Sequence, residues 1–346
     1  MRSKELPFVL RGYRIIESQI VNNSFGHIFR ITIFGASHAE SVGIRLEGVP
    51  QGIYLDEQLF ATDLHRRMPR LSGETSRHEA DSPIIEGLDN NGYTTGSDIT
   101  ISFINSNIRS TDYSHLHHHP RPSHADLVQR RKYGDDYNLA GGGIASGRMT
   151  VALVAAGVVA KQILKTATFT TEVVEVGGSS TKEDFEAIIA SAAHDGDSVG
   201  GIVECRIGGV PHSLGEPFFD SAESTIAHLL FSIPGIEGVE FGDGFEGARK
   251  RGSQRNDAIT DAAGTTLTNN EGGINGGITN GNDIIVRVAI KPTPSIARPQ
   301  QTYNFESENI DTLVIGGRHD ACIARRAAVV VEAVAAIALA DLKLRA

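Results

Sequence analysis

The sequence predicts an α+β fold in which apolar helices lie packed between sheets. Three observations carry this expectation. Segments 147–165 and 322–343 are rich in Ala and Val around their whole circumference, which suits helices covered on every side rather than helices with a wet face. Runs with strand-like alternation surround them. The strand–helix order is too irregular for a doubly wound parallel sheet.

Residues 1–23 read as an irregular N-terminal arm, and 24–346 read as one domain without repeats or a low-complexity linker. "HIFRITIFG" alternates and is rich in Ile and Phe, so it is read as a strand. "VGIRLEGVPQGIYL" is read as a strand pair around a turn. "LDEQLFATDLHRRM" has helical spacing, with Leu59, Phe60 and Leu64 on one side and Asp56 at the start. "DITISFINSN" is a strand, followed by a polar loop rich in histidine. Segment 147–165 is the first strong helix. Strands follow at Thr168–Val176 and Val199–Ile207, with a helix at 181–194 between them. "DSAESTIAHLLFSIPG" is a helix that stops at Pro234-Gly235, where a ring without an N–H and a flexible residue end the pattern. "VEFGDGF" and "DIIVRVAIKPTPSI" are strands, and the last helix spans roughly 322–343.

Composition narrows the function. The chain has 346 residues with 42 acidic against 32 basic side chains and a net charge of −10, so general nucleic-acid binding is disfavoured. A small anion can still bind where arginines gather in one pocket. Cys205 and Cys322 form no CxxC pair, which argues against a disulfide framework or a zinc site and for the reducing cytoplasm. The start of the chain is broken by Arg11 and Arg14, unlike a secretory signal. The run 327–340 holds Glu332 and is shorter than a membrane span. A soluble protein is expected.

Four clusters can carry chemistry. "FGASHAESVG" places Ser37 and His38 after a strand. They read either as a satisfied turn or as a general acid where glycine lets the backbone close on a ligand. "HHHPRPSHADLVQRRKYG" and the preceding His115 carry too many close histidines for one tetrahedral metal, and no metal is assigned. Solvated histidines are the plainer reading of His115, His117, His118 and His119. His124, beside Pro122, Arg121 and Asp126, is placed to stay protonated and donate to an oxyanion. "GGGIASGRMT" offers backbone N–H groups at a helix start, yet it is neither a P-loop nor a Rossmann turn. The stretch from Gly272-Gly273 through Lys291-Pro292-Thr293, with Arg318-His319-Asp320, combines close-approach glycines with cations suited to phosphate or carboxylate. Asp320 can equally be a helix cap.

In this order, "FGASH", "RPSHAD" with "KYG", "GGG" with Ser146 and Arg148, "SIPGIEGVEFGDGF", "GSQRND", "GGINGGITNGNDIIVRVAIKPTPSI" and "GRHDAC" resemble chorismate synthase from about Phe25 to Leu344. The resemblance implies a β-α-β sandwich, a homotetramer and reduced FMN, with NADPH as one source of reducing power. It implies a 1,4-anti elimination of phosphate from 5-enolpyruvylshikimate 3-phosphate to chorismate. By motif, His38 is the acid near the flavin, His124 the acid near the leaving phosphate, and Asp320 assists proton removal through the flavin, with Ser37 and Ser146 bonding in the same site. Flavin contacts are expected from Gly143, Ile144, Ala145 and Ser146, from Pro234 and Gly235, from Gly276, from Lys291, Pro292, Thr293, Pro294 and Ser295, and from Arg318. Substrate contacts are expected from Arg66, Arg67, Arg148 and Arg326.

The chain departs from the family at one place that bears on chemistry. Where the family has Arg-Gly-Gly-Gly-Arg-Ser-Ser, this chain has Ala140, three glycines, Ile144, Ala145 and Ser146. Ala36 and Ala39 also replace a Glu and a Gly of the first motif. Two lost arginines weaken an anion site unless Arg70 or Arg77 supplies the charge. An ordinary family enzyme, a divergent enzyme using reduced FMN on a related or less anionic substrate, and a silent member are thus the readings to separate.

Overall fold

Apolar alternation fixes the sheets, and the strand register shows it directly. The computed structural model describes residues 23–107, 116–134, 137, 140–317 and 319–346. The expected arm, apart from Asn23, lies outside these. Strands β1 (Ser24–Phe25), β2 (Arg30–Gly35), β3 (Ser41–Glu47), β4 (Ile84–Glu86) and β5 (Ile99–Ile104) form an antiparallel sheet in the order β1-β2-β3-β5-β4. Ile31 pairs with Leu46 and Leu46 with Ile99, while Ile33 pairs with Ile44 and Ile44 with Ile101. Because paired residues share a face, one side of this sheet is a continuous aliphatic surface.

Further along run β6 (Thr168–Val176), β7 (Gly201–Gly208), β8 (Ile236–Phe241), the small hairpin β9 (Ile274–Asn275) and β10 (Ile278–Thr279), and β11 (Ile284–Ile290). Four of them make a second antiparallel sheet, β6-β7-β11-β8. Val203, Val288 and Val239 align across its inner face. Its outer face carries Arg287, bonded to Glu204 at 2.7 Å and Glu240 at 3.3 Å, the wet side expected of such a sheet. A ribbon, β12 (Gln300–Asn304) with β13 (Asn309–Leu313), stands apart.

The helices are α1 (Glu57–Arg67), α2 (Asp126–Tyr133), α3 (Thr150–Leu164), α4 (Phe185–His194), α5 (Ala222–Leu230), the single turns α6 (Gly244–Gly247) and α7 (Gly252–Arg255), and α8 (Ala324–Arg345). Asp56 caps α1 by accepting from the Leu59 N–H at 3.0 Å. Helices α3 and α8 lie side by side between the sheets, α3 against β3 and β5, α8 against β6 and β7. This is the β-α-β sandwich that the sequence led us to expect. The helices touch where Gly157 meets Ala333: a Cβ on Gly157 would stand 2.6 Å from the Ala333 Cα. Segment 147–164 is long and apolar enough to cross a membrane, but 83% of it is buried inside the protein, where it forms the core.

Charges inside the sandwich are paired. Glu332 is 2% exposed on α8 and accepts from Arg66 at 2.8 Å and from Lys161 of α3. Arg66 and Lys161 also bond Asp63, at 2.9 and 2.6 Å. Asp341, fully buried, accepts the consecutive N–H groups of His27, Ile28 and Phe29 at 3.0, 2.8 and 2.9 Å. The last helix is thereby pinned to the first hairpin.

Some elements differ from expectation. "VGIRLEGVPQGIYL" yields β3 alone, and Tyr54 makes only an isolated bridge to Tyr93. Helix α2 arises from "DLVQRRKY", whose charge density gives no apolar stripe. The β12–β13 ribbon has no apolar alternation to announce it. The histidine loop is not simply solvated: His119 is 8% exposed and lies 3.3 Å from the Thr302 carbonyl, while His115 is outside the described residues.

Candidate active site

Three glycines begin the site. Gly141, Gly142 and Gly143 have φ of 62°, 86° and 56°, a left-handed run that side chains resist. A Cβ on Gly141 would collide with the His38 ring and stand 2.8 Å from Ser37 Oγ. The Gly143 carbonyl accepts the Ser37 N–H at 3.2 Å. The glycine turn and the Ser37-His38 turn are therefore packed backbone to ring. Ser146 then caps the helical turn before α3 by accepting the Arg148 N–H at 3.3 Å.

Beside this turn opens a cavity of about 440 Å³, within the range of small-ligand sites. Arg67, Arg77, Arg121, Arg148, Lys291 and Arg326 line it, against the carboxylates of Glu79, Asp81 and Asp320. Its apolar wall includes Ile233, Ile323, Ala327 and Val330. The excess of cations is fixed in place by pairing. Asp81, buried with φ of 48°, receives Arg67 at 3.0 Å through one oxygen and Arg148 through the other. Such a backbone conformation is strained for a non-glycine residue and is sustained by these bonds. Burial, together with Arg326 and Arg148, pushes the Arg67 pKa down to about 9 against the opposing pull of Asp81. Arg67 remains cationic at neutral pH. Arg77 bonds Ser37 Oγ at 3.1 Å and Glu79 at 2.7 Å. Burial tends to raise the Glu79 carboxyl, but the Ser106 N–H and the Arg77 guanidinium hold it at about 2.

Two acid–base groups face the same space. His124 Nδ1 lies 2.8 Å from Asp126 Oδ1. Arg121 grips Asp126 with Nε and Nη2, both at 2.7 Å, and donates to Ser295 Oγ at 2.9 Å. Burial alone would raise the Asp126 carboxyl, yet Arg121 and His124 hold it far below its ordinary range. Asp320 accepts the Thr75 N–H at 2.9 Å and Arg326 Nη1 at 2.8 Å. His319 also lines the cavity, its pKa lowered by burial and by nearby Arg121 and His124.

The cavity brings together Ser37, His124, Ser146 and Asp320, the loop residue Ala145, Pro234 and Gly235, Lys291, Thr293, Pro294 and Ser295, and Arg67, Arg148 and Arg326. His38 sits behind Gly141 and does not line it. Gly143 and Ile144 do not line it either; the Gly143 carbonyl faces the Ser37 N–H. Pro292 falls outside the lining, and Gly276 lies at the tip of the β9–β10 hairpin. Arg66 does not line the cavity: Glu332 and Asp63 hold its partly exposed side chain. Arg318 is outside the described residues. Of the two arginines weighed above for the missing charge, Arg77 lines the cavity and Arg70 does not. Asp81 and Asn105, which organise the arginines, were not foreseen; an isolated polar residue near a strand gives no signal in one sequence.

The family model described as chorismate synthase matches residues 29–344. The chain belongs to the chorismate synthase family. The chorismate synthase of Chitinophaga pinensis is 52% identical over 324 residues, covering 93% of this chain and 96% of that protein. That of Lachnoclostridium phytofermentans is 42% identical, covering 93% and 95%. A solved structure titled "Crystal Structure of Chorismate Synthase" superposes with a TM-score of 0.71 at 28% identity, covering 93% of each chain.

The residues fit a reduced flavin. An aliphatic wall suits a flat ring, and the Thr293 hydroxyl, buried at the cavity without a hydrogen-bond partner among the described residues, is a polar group awaiting one. Lys291 and the arginines suit a phosphate tail.

Proposed function

We propose that the chain catalyses the 1,4-anti elimination of phosphate from 5-enolpyruvylshikimate 3-phosphate, giving chorismate, with reduced FMN bound beside the substrate. The observation that carries this reading is the convergence of six cations on a cavity that also presents His124 and Asp320. The substrate bears a phosphate and two carboxylates, and guanidinium groups held by Asp81 and Ser37 oppose such charge without reorganising.

His124, oriented by Asp126, delivers a proton to the phosphate oxygen as its bond to carbon breaks. Arg67 and Arg148, held by Asp81, stabilise the anions, and Arg77 is kept in place by Ser37. Asp320, steered by Thr75 and Arg326, is assigned to accept the proton lost from the far carbon. Reduced FMN, when bound, lends electron density to the allylic system as phosphate leaves, with no net redox change. His38 supports the glycine turn from behind. We further propose a cytoplasmic homotetramer; the exposed Phe218 and Phe219 and the free buried cysteines support that reading. The reducing power comes from NADPH or from flavin reduced elsewhere.

The test is anaerobic turnover with chemically reduced FMN, following chorismate absorbance and released phosphate. Formation of both in equal amounts is expected. Tight FMN binding with no phosphate release would overturn the proposal and favour a different substrate.

A further inference from the structure

Asn105 stands at the end of β5, 7% exposed, and touches two parts of the site that are distant in sequence. Its Nδ2 donates to the carbonyls of Ala36 and Ala39 at 3.2 and 2.7 Å. Those residues bracket Ser37 and His38. Its Oδ1 accepts Arg148 Nε at 2.9 Å, and its backbone N–H bonds Glu40 at 2.9 Å. The amide orientation follows from chemistry: Arg Nε can only donate and carbonyls can only accept, so one arrangement satisfies all three.

Arg148 is thereby fixed on two sides, Nε by Asn105 and Nη1 by Asp81. Its Nη2 is left over. That nitrogen is buried and has no hydrogen-bond partner among the described residues, on a side chain that lines the cavity. A charged donor is not left so without a ligand to meet it.

We propose that Asn105 is a positioning residue that joins the Ser37-His38 turn to Arg148 and holds Arg148 Nη2 as an anion donor in the cavity. The inference rests on the function proposed above for this site. Asn105 touches no substrate itself; it acts through Arg148 and through the turn. An alanine would free both, whereas an aspartate would keep an acceptor for Arg148 Nε but set a carboxylate oxygen against the Ala36 and Ala39 carbonyls and so loosen the turn.

The experiment is a double-mutant cycle of Asn105→Ala with Arg148→Lys, the lysine keeping a cation beside Asp81 but lacking Nη2. KM for 5-enolpyruvylshikimate 3-phosphate, kcat and Tm are measured for each. Asn105→Ala is expected to raise KM about tenfold or more, and to add almost nothing in the Arg148→Lys background, since coupled sites are non-additive. Asn105→Asp should recover most of the KM loss while kcat stays low. Additive effects, or losses that merely follow Tm, overturn the proposal. Should wild-type protein not turn over this substrate, the functional reading fails first. The same cycle is then read by calorimetric titration with inorganic phosphate, where additivity again overturns the role of Asn105.

Discussion

Gly157 lets α3 and α8 approach, and replacing it tests how tightly the sandwich is set. A Cβ there would lie 2.6 Å from the Ala333 Cα and 3.1 Å from its carbonyl oxygen. Carbon atoms prefer separations of about 3.5–4.0 Å, so the helices must part by roughly 1 Å. Overpacking of this kind costs about 1–3 kcal/mol, while alanine gains about 1 kcal/mol over glycine in helix propensity. Gly157→Ala is therefore expected to destabilise by up to about 2 kcal/mol, and Gly157→Val by more. The displacement also reaches the site, because α3 starts just after Arg148 and α8 just after Asp320. A shift of about 1 Å in such groups can cost about a hundredfold in rate. Urea unfolding and steady-state kinetics give the two readouts, and Ala333→Gly in the same chain should restore neither fully, because the Ala333 Cα and carbonyl oxygen stay in place. A Gly157→Ala variant more stable than wild type, with unchanged kcat, would refute the reasoning, since propensity alone would then govern the position.

His124→Gln should lower kcat by about 10²–10⁴ while flavin binding, followed by absorbance, persists. Arg66→Met should lower stability by about 1–2 kcal/mol, since Arg66 is partly exposed and Lys161 still faces the buried Glu332, with KM of the folded enzyme unchanged. Acid should unfold the protein through Glu79 and Asp126: both carboxyls are depressed in the fold, so the unfolded chain binds more protons. The stability they contribute is full above about pH 4.5 and is lost as the pH falls towards 2 and below. Glu79→Gln should flatten the upper part of that loss in a plot of Tm against pH.

The sequence made the sandwich legible because its two central helices are apolar all round and its strands alternate cleanly, as in β3 and β11. It did not reveal α2 or the β12–β13 ribbon, since charged "DLVQRRKY" and polar "QQTYN" carry no period. His124, Asp320, Lys291 and Arg148 could be read from their motifs. Arg66 could not be told from Arg67, its neighbour: on a helix, adjacent residues point about 100° apart, so Arg67 enters the cavity while Arg66 turns to Glu332 and Asp63. The apparent loss of charge at Ile144 was likewise a local view. A cavity collects cations from segments hundreds of residues apart, and only the assembled fold shows the balance.

The place of α8 also shapes how the protein must be made. This helix is the last described element, yet it fills the centre between the sheets and its Asp341 receives N–H groups from residues more than 300 positions earlier. A chain emerging from the ribosome can pair strands of the first sheet and cover them with α3, but the inner face of β6 and β7 lacks α8 until the final turns arrive. Contacts of such separation are slow to close, and the waiting surface invites association with other chains. Shortening its last helix by two turns would remove the Asp341 pin together with the buried Leu342.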